Sequence, residues 1–377
     1  MPWSEVSRMD SRKEFVELAL VDSANLSALC RRYGISRKTG YKWLARTASG
    51  AGVADRSRRP LSSPKRTEAA GETAVLALRG EHPSWGGRKI RRRLLDLGAA
   101  SAPAASTISG ILRRHGLIDP GEAAKHTAFE RFEHSRPNAL WQMDFKGHFA
   151  HAGGRCHPLT VLDDHSRFSI CLAACDNERT HTVREQLTGR FQRYGLPERI
   201  NVDNGSPWGA GPDWRFTPLT VWLARLGIKV SHSRPYHPQT NGKDERFHRT
   251  LKADVIQTGT FADLTQCQAA FDRWRTIYNT ERPHEAIGMA VPASRYAISP
   301  RPFPKILPEP QYRPGDIVRK VQQGGEVHFK GRLFELPKAF VGQPVGFRST
   351  QTDGLWDVVF AAHRITQVDL RDATELS

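Results

Sequence analysis

Three acidic residues stand where acids are uncommon. Asp144 falls in L-W-Q-M-D-F (residues 140–145), an aromatic-rich run that reads as a strand. Asp203 ends R-I-N-V-D-N-G (residues 199–205), a short Ile200/Val202 alternation that stops at an Asn-Gly turn. Glu245 sits near the start of a charged helix that begins about Lys243. Strands deplete aspartate, and carboxylates are rarely buried without a partner. Two aspartates at strand positions and a glutamate on a later helix supply hard oxygen ligands of the kind magnesium or manganese takes. Two such ions about 3.5–4 Å apart can activate a water or hydroxyl and stabilise the leaving oxygen of an in-line displacement.

The helix that would carry Glu245 follows a strand ending (Ile228, Val230) and a turn through Pro235 and Pro238, which cannot continue a ladder. Phe247 and Leu251, at i and i+4, form a stripe to bury. Glu245, Arg249 and Lys252, at i, i+4 and i+7, form a second face. That face alone also reads as a solvated Glu–Arg pair; the two upstream aspartates give it another meaning. Asp163 and Asp164 fall at an expected turn, where aspartate is common for local reasons. Asp244 points about 100° away from Glu245 around the helix. His248, three residues past Glu245, reads as a structural neighbour before a ligand.

These segments carry a resemblance. W-Q-M-D-F, L-T-V-L-D-D-H-S-R-F, V-D-N-G and above all H-P-Q-T-N-G-K-D-E-R-F-H-R-T-L-K, with Y-N-T-E-R-P-H-E-A-I-G and V-P-A-S-R-Y further on, resemble the integrase core of bacterial insertion-sequence transposases, the DDE type related to retroviral integrases. The resemblance covers residues 137–298 and implies an RNase-H-like α/β core. It puts the family's acidic triad on Asp144, Asp203 and Glu245, as both catalytic and metal-binding residues. It implies two Mg2+ (or Mn2+) ions per site, and Asn204, Gln239, Arg249 and Lys252 as groups that orient DNA. The gap between Asp203 and Glu245 is longer than the family's, and the extra length is assigned to the loop S-P-W-G-A-G-P-D-W. The implied activity is a DNA transposase: cleavage at an element end, then attack of the released 3′-hydroxyl on target DNA. A simple metal nuclease and a catalytically silent DNA-binding repressor built on the same body are the rivals. The implied partners are double-stranded DNA, both element terminal inverted repeats and target, and further copies of the chain in a homodimer or higher multimer.

Composition agrees with such a partner. The chain of 377 residues has a formal net charge of +17, which points to a polyanion, nucleic acid before membrane. No apolar run is long enough to cross a bilayer, and the N-terminus lacks a signal-peptide stretch, so a cytoplasmic, nucleoid-associated location is expected. Five scattered cysteines do not make a disulfide framework, which suits a reducing compartment. Cys171 and Cys175 have a zinc-like gap without a second pair and read as small core residues.

Other elements must position this chemistry. Residues 1–47 show helix, Gly34 turn, helix: a helix-turn-helix, with Ser27 and Ser36 as expected caps and Arg37, Lys38, Thr39 and Lys42 offered to the major groove. Gly40 inside the second helix costs about 1 kcal/mol. Residues 48–66 are a basic Gly/Ser/Pro linker. Residues 67–118 form a second helix-turn-helix-like unit, with Ser106 as a cap and Arg88, Lys89, Arg92, Arg113 and Arg114 as DNA contacts. Residues 119–136 are a polar linker. The core, residues 137–298, reads as three strands, then helix, strand, helix, strand, helix, with strand one running from Ala139 to Ala150. After a Pro-rich linker (299–311), the alternation in residues 312–377 predicts a small β-barrel.

Overall fold

The computed structural model describes residues 7–57, 66–119, 133–209, 216–232 and 242–371. The chain divides into two compact units, Met1–Arg66 and Thr67–Ser377.

The first unit is three helices: α1 (Arg8–Ala19), α2 (Leu26–Arg32) and α3 (Arg37–Ala48). Ser36 caps α3 as expected, accepting from the Thr39 amide. The cap of α2 is Asn25, not Ser27; the helix starts at Leu26, which puts Ser27 inside its first turn. Phe15, Val16, Cys30 and Trp43 fill the small core. Gly40 has a packing reason that outweighs its helix cost. A Cβ there would lie 2.7 Å from the Cys30 sulfur and 3.0 Å from the Phe15 ring, so only glycine lets α3 come this close.

The second unit opens with α4 (Ala69–Glu81), α5 (Gly87–Asp96) and α6 (Ala105–Arg114) around Val75, Ile90, Ile108 and Ile111. A Cβ on Gly87 would lie 2.4 Å from the Ala105 carbonyl oxygen; this glycine sets the α5–α6 approach. Ser106 is not a cap: the N-cap position is Ala104, which makes no side-chain capping bond, and Ser106 stands exposed in the first turn.

A mixed sheet follows. Its strands are β1 (Trp141–Phe145), β2 (Phe149–His151), β3 (Gly154–Asp163), β4 (Ser169–Cys175), β5 (Arg199–Val202) and β6 (Lys229–His232). The order is β2-β3-β1-β5-β6, with β4 beside β3. Neighbours β1–β3 and β3–β4 are antiparallel; β1–β5 and β5–β6 are parallel. This is the RNase-H-like arrangement expected. The single strand expected over residues 139–150 is broken at Gly147, which has φ +81°, so β2 pairs separately with β3. Helices α7 (Thr180–Tyr194) and α8 (Pro218–Arg225) cover one face through Leu187, Phe191, Leu219 and Trp222. Helices α9 (Gly242–Leu251) and α10 (Leu264–Thr280) pack with Leu162 and Leu172 through Phe247, Leu251 and Phe271. A five-residue π-helix, Lys252–Ile256, extends α9. Burying each large apolar side chain contributes roughly 1.5–3 kcal/mol, so these two layers fix the sheet that carries the acids.

The C-terminal region corrects an expectation. Its strands are β7 (Ile317–Lys320), β8 (Glu326–Phe329), β9 (Arg332–Glu335), β10 (Pro344–Ser349), β11 (Leu355–Phe360) and β12 (His363–Asp369). They form an open four-stranded sheet, β12-β11-β10-β7, and a separate β8–β9 hairpin. A barrel needs its edge strands to hydrogen-bond to each other; here β7 and β12 are the two ends of the sheet. The alternation is real, and it buries Phe329, Phe340, Phe347 and Phe360 in a core between sheet and hairpin. Among the described residues, no helix is long and apolar enough to cross a membrane.

Candidate active site

The parallel β1–β5 ladder pairs Trp141 with Ile200 and Gln142 with Asn201. Asp144 and Asp203 follow these last partners by two residues each, at the same ends of neighbouring strands. Adjacent strands lie about 4.8 Å apart, so the two carboxylates are brought side by side. The Asp144 carboxyl is pushed up to about 7, by burial first and then by the charge of Asp203, with Glu178 and Glu245 adding to it. Two carboxylates that share a site resist ionising together.

Asp203 is held by its loop. Its Oδ1 accepts from the Gly205 amide at 2.9 Å and from the Trp208 indole Nε1 at 2.5 Å. Trp208 is buried and stacks on Phe145, the residue after Asp144. The first part of the inserted loop therefore ties the two acidic strands together. Residues 210–215 lie outside the described residues.

Glu245 is exposed on α9, within electrostatic reach of Asp144, while its neighbour Asp244 is buried. Burial and the charges of Asp144 and Asp164 hold the Asp244 carboxyl well above the usual range. Among the described residues, no three His, Cys, Asp or Glu side chains gather closely enough to hold a metal ion. The donor chemistry still suits a hard divalent cation. Asp144 and Asp203 are adjacent carboxylates, and a cation between them would offset their mutual repulsion.

Helix α9 is fastened at two points. Asp164, 1% exposed, accepts from the His134 amide and from Gln142 Nε2, and pairs with Lys243 Nζ at the start of α9. Further on, His248 Nε2 lies 2.8 Å from Thr160 Oγ1, and that hydroxyl donates to the Asp144 carbonyl at 2.9 Å. One hydroxyl proton serves one acceptor, so both bonds form when His248 is neutral and carries its proton on Nε2. Burial, and then the charge of Lys146, push His248 down to about 4 in agreement with this. Asp163 accepts from the Asn138 amide and from the amide and hydroxyl of Ser166. Both turn aspartates thus have structural partners.

Residues 134–238 and 226–292 match two models described as Integrase core domain. Residues 316–376 match the IS481 family transposase, C-terminal domain. The N-terminal part matches a helix-turn-helix domain over residues 11–60 and a homeodomain-like domain over residues 39–112. These matches give the chain an integrase core and a C-terminal part similar to that of the IS481 family transposases. It is 28% identical over 159 residues to the insertion element IS476 uncharacterized 39.2 kDa protein of Xanthomonas euvesicatoria, covering 42% of this chain and 44% of that one. It is 24% identical over 157 residues to the insertion element IS407 uncharacterized 31.7 kDa protein of Burkholderia multivorans, covering 42% of this chain and 54% of that one. The aligned region thus spans about half the length of these curated relatives. Among solved structures, a chain of the simian T-cell lymphotropic virus intasome is 16% identical with a TM-score of 0.38, covering 79% of this chain and 100% of that one.

The other residues expected at DNA are placed unevenly. Arg37, Lys38 and Lys42 are exposed on α3, while Thr39 is half-buried with its hydroxyl 3.0 Å from that of Ser36. Arg92 pairs with Asp96, and Arg114 with Glu72. Arg88 meets Glu285 at 3.4 Å, and Lys89 is largely buried, its ammonium pushed down to about 7, chiefly by burial. Arg113 is exposed, as are Arg249, Lys252 and Asn204. Gln239 lies outside the described residues. Sequence reading missed Lys146, whose ammonium is lowered by burial and by the nearby Lys252. The period of two along β1 was a usable signal, because Lys146 follows Asp144 by two residues. It also missed the pair His157–Glu178, joined at 2.8 Å beside the acids, for which sequence offered no spacing rule.

Proposed function

We propose that this chain is a DNA transposase that binds the ends of an insertion element and catalyses metal-dependent strand cleavage and strand transfer. The observation that carries the reading is the Asp144–Asp203 pair, an anionic site at the ends of two central parallel strands in a strongly basic protein. Asp144 and Asp203 would hold Mg2+ or Mn2+, two ions in the full site, and Glu245 would complete the set from α9. The ions would supply charge neutralisation at phosphate and an activated oxygen nucleophile. The chain's own residues orient and bind. The Trp208 indole and Gly205 amide fix one Asp203 oxygen, leaving the other for a ligand. Lys146, Arg249 and Lys252 offer cations to the phosphates, and Asn204 and Gln239 offer amides. Such contacts position a strand and make binding salt-dependent. The exposed cations of α3 and the exposed face of α6 suit duplex reading, and cutting two ends together calls for a homodimer or higher multimer on DNA.

A second reading is a catalytically silent repressor on a transposase body. The exposed Glu245, apart from the aspartate pair, is what favours it. Asp144→Asn separates the two. End-labelled element DNA is incubated with magnesium, and both binding and nicking are followed. A transposase loses cleavage in the variant while keeping binding; a repressor shows no cleavage in either protein. Cleavage retained by Asp144→Asn would refute the site.

A further inference from the structure

Helix α5 is strongly basic; Arg91 and Arg92 are exposed, while Arg88, Lys89 and Arg93 have partners in the core. Arg93 Nη2 donates to Glu281 Oε2 at 2.5 Å, and Arg88 Nη1 lies 3.4 Å from Glu285 Oε2. Arg282 Nη1 donates back to Ser84 Oγ at 3.4 Å. Lys89 is set among Arg282, Glu285 and Asp254. Ile277 of α10 packs onto the apolar cluster of the three-helix part. Apart from Asp254 of the π-helix, these core partners lie at the C-terminal end of α10 or just beyond it.

That end of α10 is coupled to the acidic site. Trp274 and Tyr278 place their rings 5.2 and 4.9 Å from the Phe247 ring. Phe247 is two residues past Glu245 on α9. A continuous run of packed elements therefore joins α6, through α5, α10 and α9, to the carboxylates. Ser106, Thr107 and Arg113 of α6 stay exposed at the far end of this run.

The junction combines charged pairs with a narrow apolar contact at Ile277. An open cleft of about 550 Å3 lies beside it, lined by His82, Trp85, Trp274 and Tyr278 among others. The pairs Arg93–Glu281 and Arg88–Glu285 add to that contact in setting the orientation of the three-helix part.

We propose that the α5–α10 junction is a spacer that sets how far from the DNA sequence held by α6 the strand is cut. This rests on the transposase reading above. Partly exposed pairs are individually weak, so single neutral substitutions change little and charge reversal is the useful perturbation.

The full-length chain is tested with element-end DNA. Glu281→Arg with Glu285→Arg places like charges across both pairs; adding Arg88→Glu and Arg93→Glu restores opposite charges in swapped order. Cut positions are mapped to the nucleotide with magnesium, and hydroxyl-radical footprints are taken without a divalent cation. In the double variant the footprint over the sequence-reading segment stays, and the flanking part contributed by the core shifts or fades. Cutting at the original phosphate falls about ten- to a hundredfold, as expected for misplacement of a reacting group, and new cuts appear at neighbouring phosphates. The swapped variant regains the original position. Unchanged footprint and cut position in the double variant would overturn the proposal. So would stronger end binding and cutting at an unchanged position, which would make the junction a brake on α5. If the unmodified protein makes no cut, the transposase reading fails, and the footprints alone still decide whether the junction fixes geometry.

Discussion

Asp144 and Asp203 each stand two residues beyond a paired position, Gln142 opposite Asn201, on neighbouring parallel strands. Their proximity follows from backbone register, independent of any loop. Burial first, and then repulsion within the pair, raises the Asp144 carboxyl.

Relief of that repulsion can be measured. The folded Asp144 carboxyl titrates at about 7, well above an ordinary aspartate. Its protonated form is favoured by folding, so this stabilisation is complete below about pH 4 and is lost as pH rises through 7. Metal-free Asp144→Asn is therefore expected to exceed the unmodified protein in stability at pH 8 by ~1–4 kcal/mol, and to match it near pH 4. Magnesium or manganese should raise the Tm of the unmodified protein and leave that of the variant nearly unchanged. Thermal melts at both pH values, with and without cation, check this.

His248 predicts the opposite slope. Its folded value of about 4 lies below that of an ordinary histidine, so its contribution is present above about pH 6.5 and is lost as pH falls through 4. Replacing His248 by Asn should flatten the stability curve between these limits. His248→Ala at pH 7 leaves the Thr160 hydroxyl short of a partner and should cost about 1–3 kcal/mol, read by urea unfolding.

Lys243→Met removes the cation from an Asp164 that is 1% exposed. An uncompensated buried charge of this kind costs about 3–5 kcal/mol. Adding Asp164→Asn should recover part of the loss, because the neutral amide no longer needs the cation. Denaturant midpoints for the single and double variants test the coupling.

Gly40→Ala drives a methyl to within 2.7 Å of the Cys30 sulfur. The N-terminal helical unit should lose about 1–3 kcal/mol, and Cys30→Ala in the same chain should restore most of it. Amide exchange in α3, compared between the variants, reports the local change.

The strands that carry the aspartates were legible because apolar alternation of period two survives in Ile200/Val202 and around Met143, and α9 because Phe247 and Leu251 recur at helical spacing. The Gly147 break was not, since a single glycine inside an apolar run is compatible with either one strand or two. Caps were misassigned at Ser27 and Ser106 because each helix begins earlier: the N-cap positions are Asn25, which caps, and Ala104, which has no side chain to do so. The C-terminal alternation spoke for strands but not for closure, which depends on whether β7 and β12 meet. The Thr160–His248 bond and the ion pairs of α5 join segments far apart in the chain, so no local pattern announces them. Basic residues on α5 look alike whether they face phosphate or Glu281.

The β1–β5 ladder also has a consequence during synthesis. It joins stretches about sixty residues apart in the chain, and Glu245 comes later still. Contacts of such long sequence separation form only after the intervening chain is available. A partly translated or truncated polypeptide can fold its leading helices well before it brings Asp144 and Asp203 side by side.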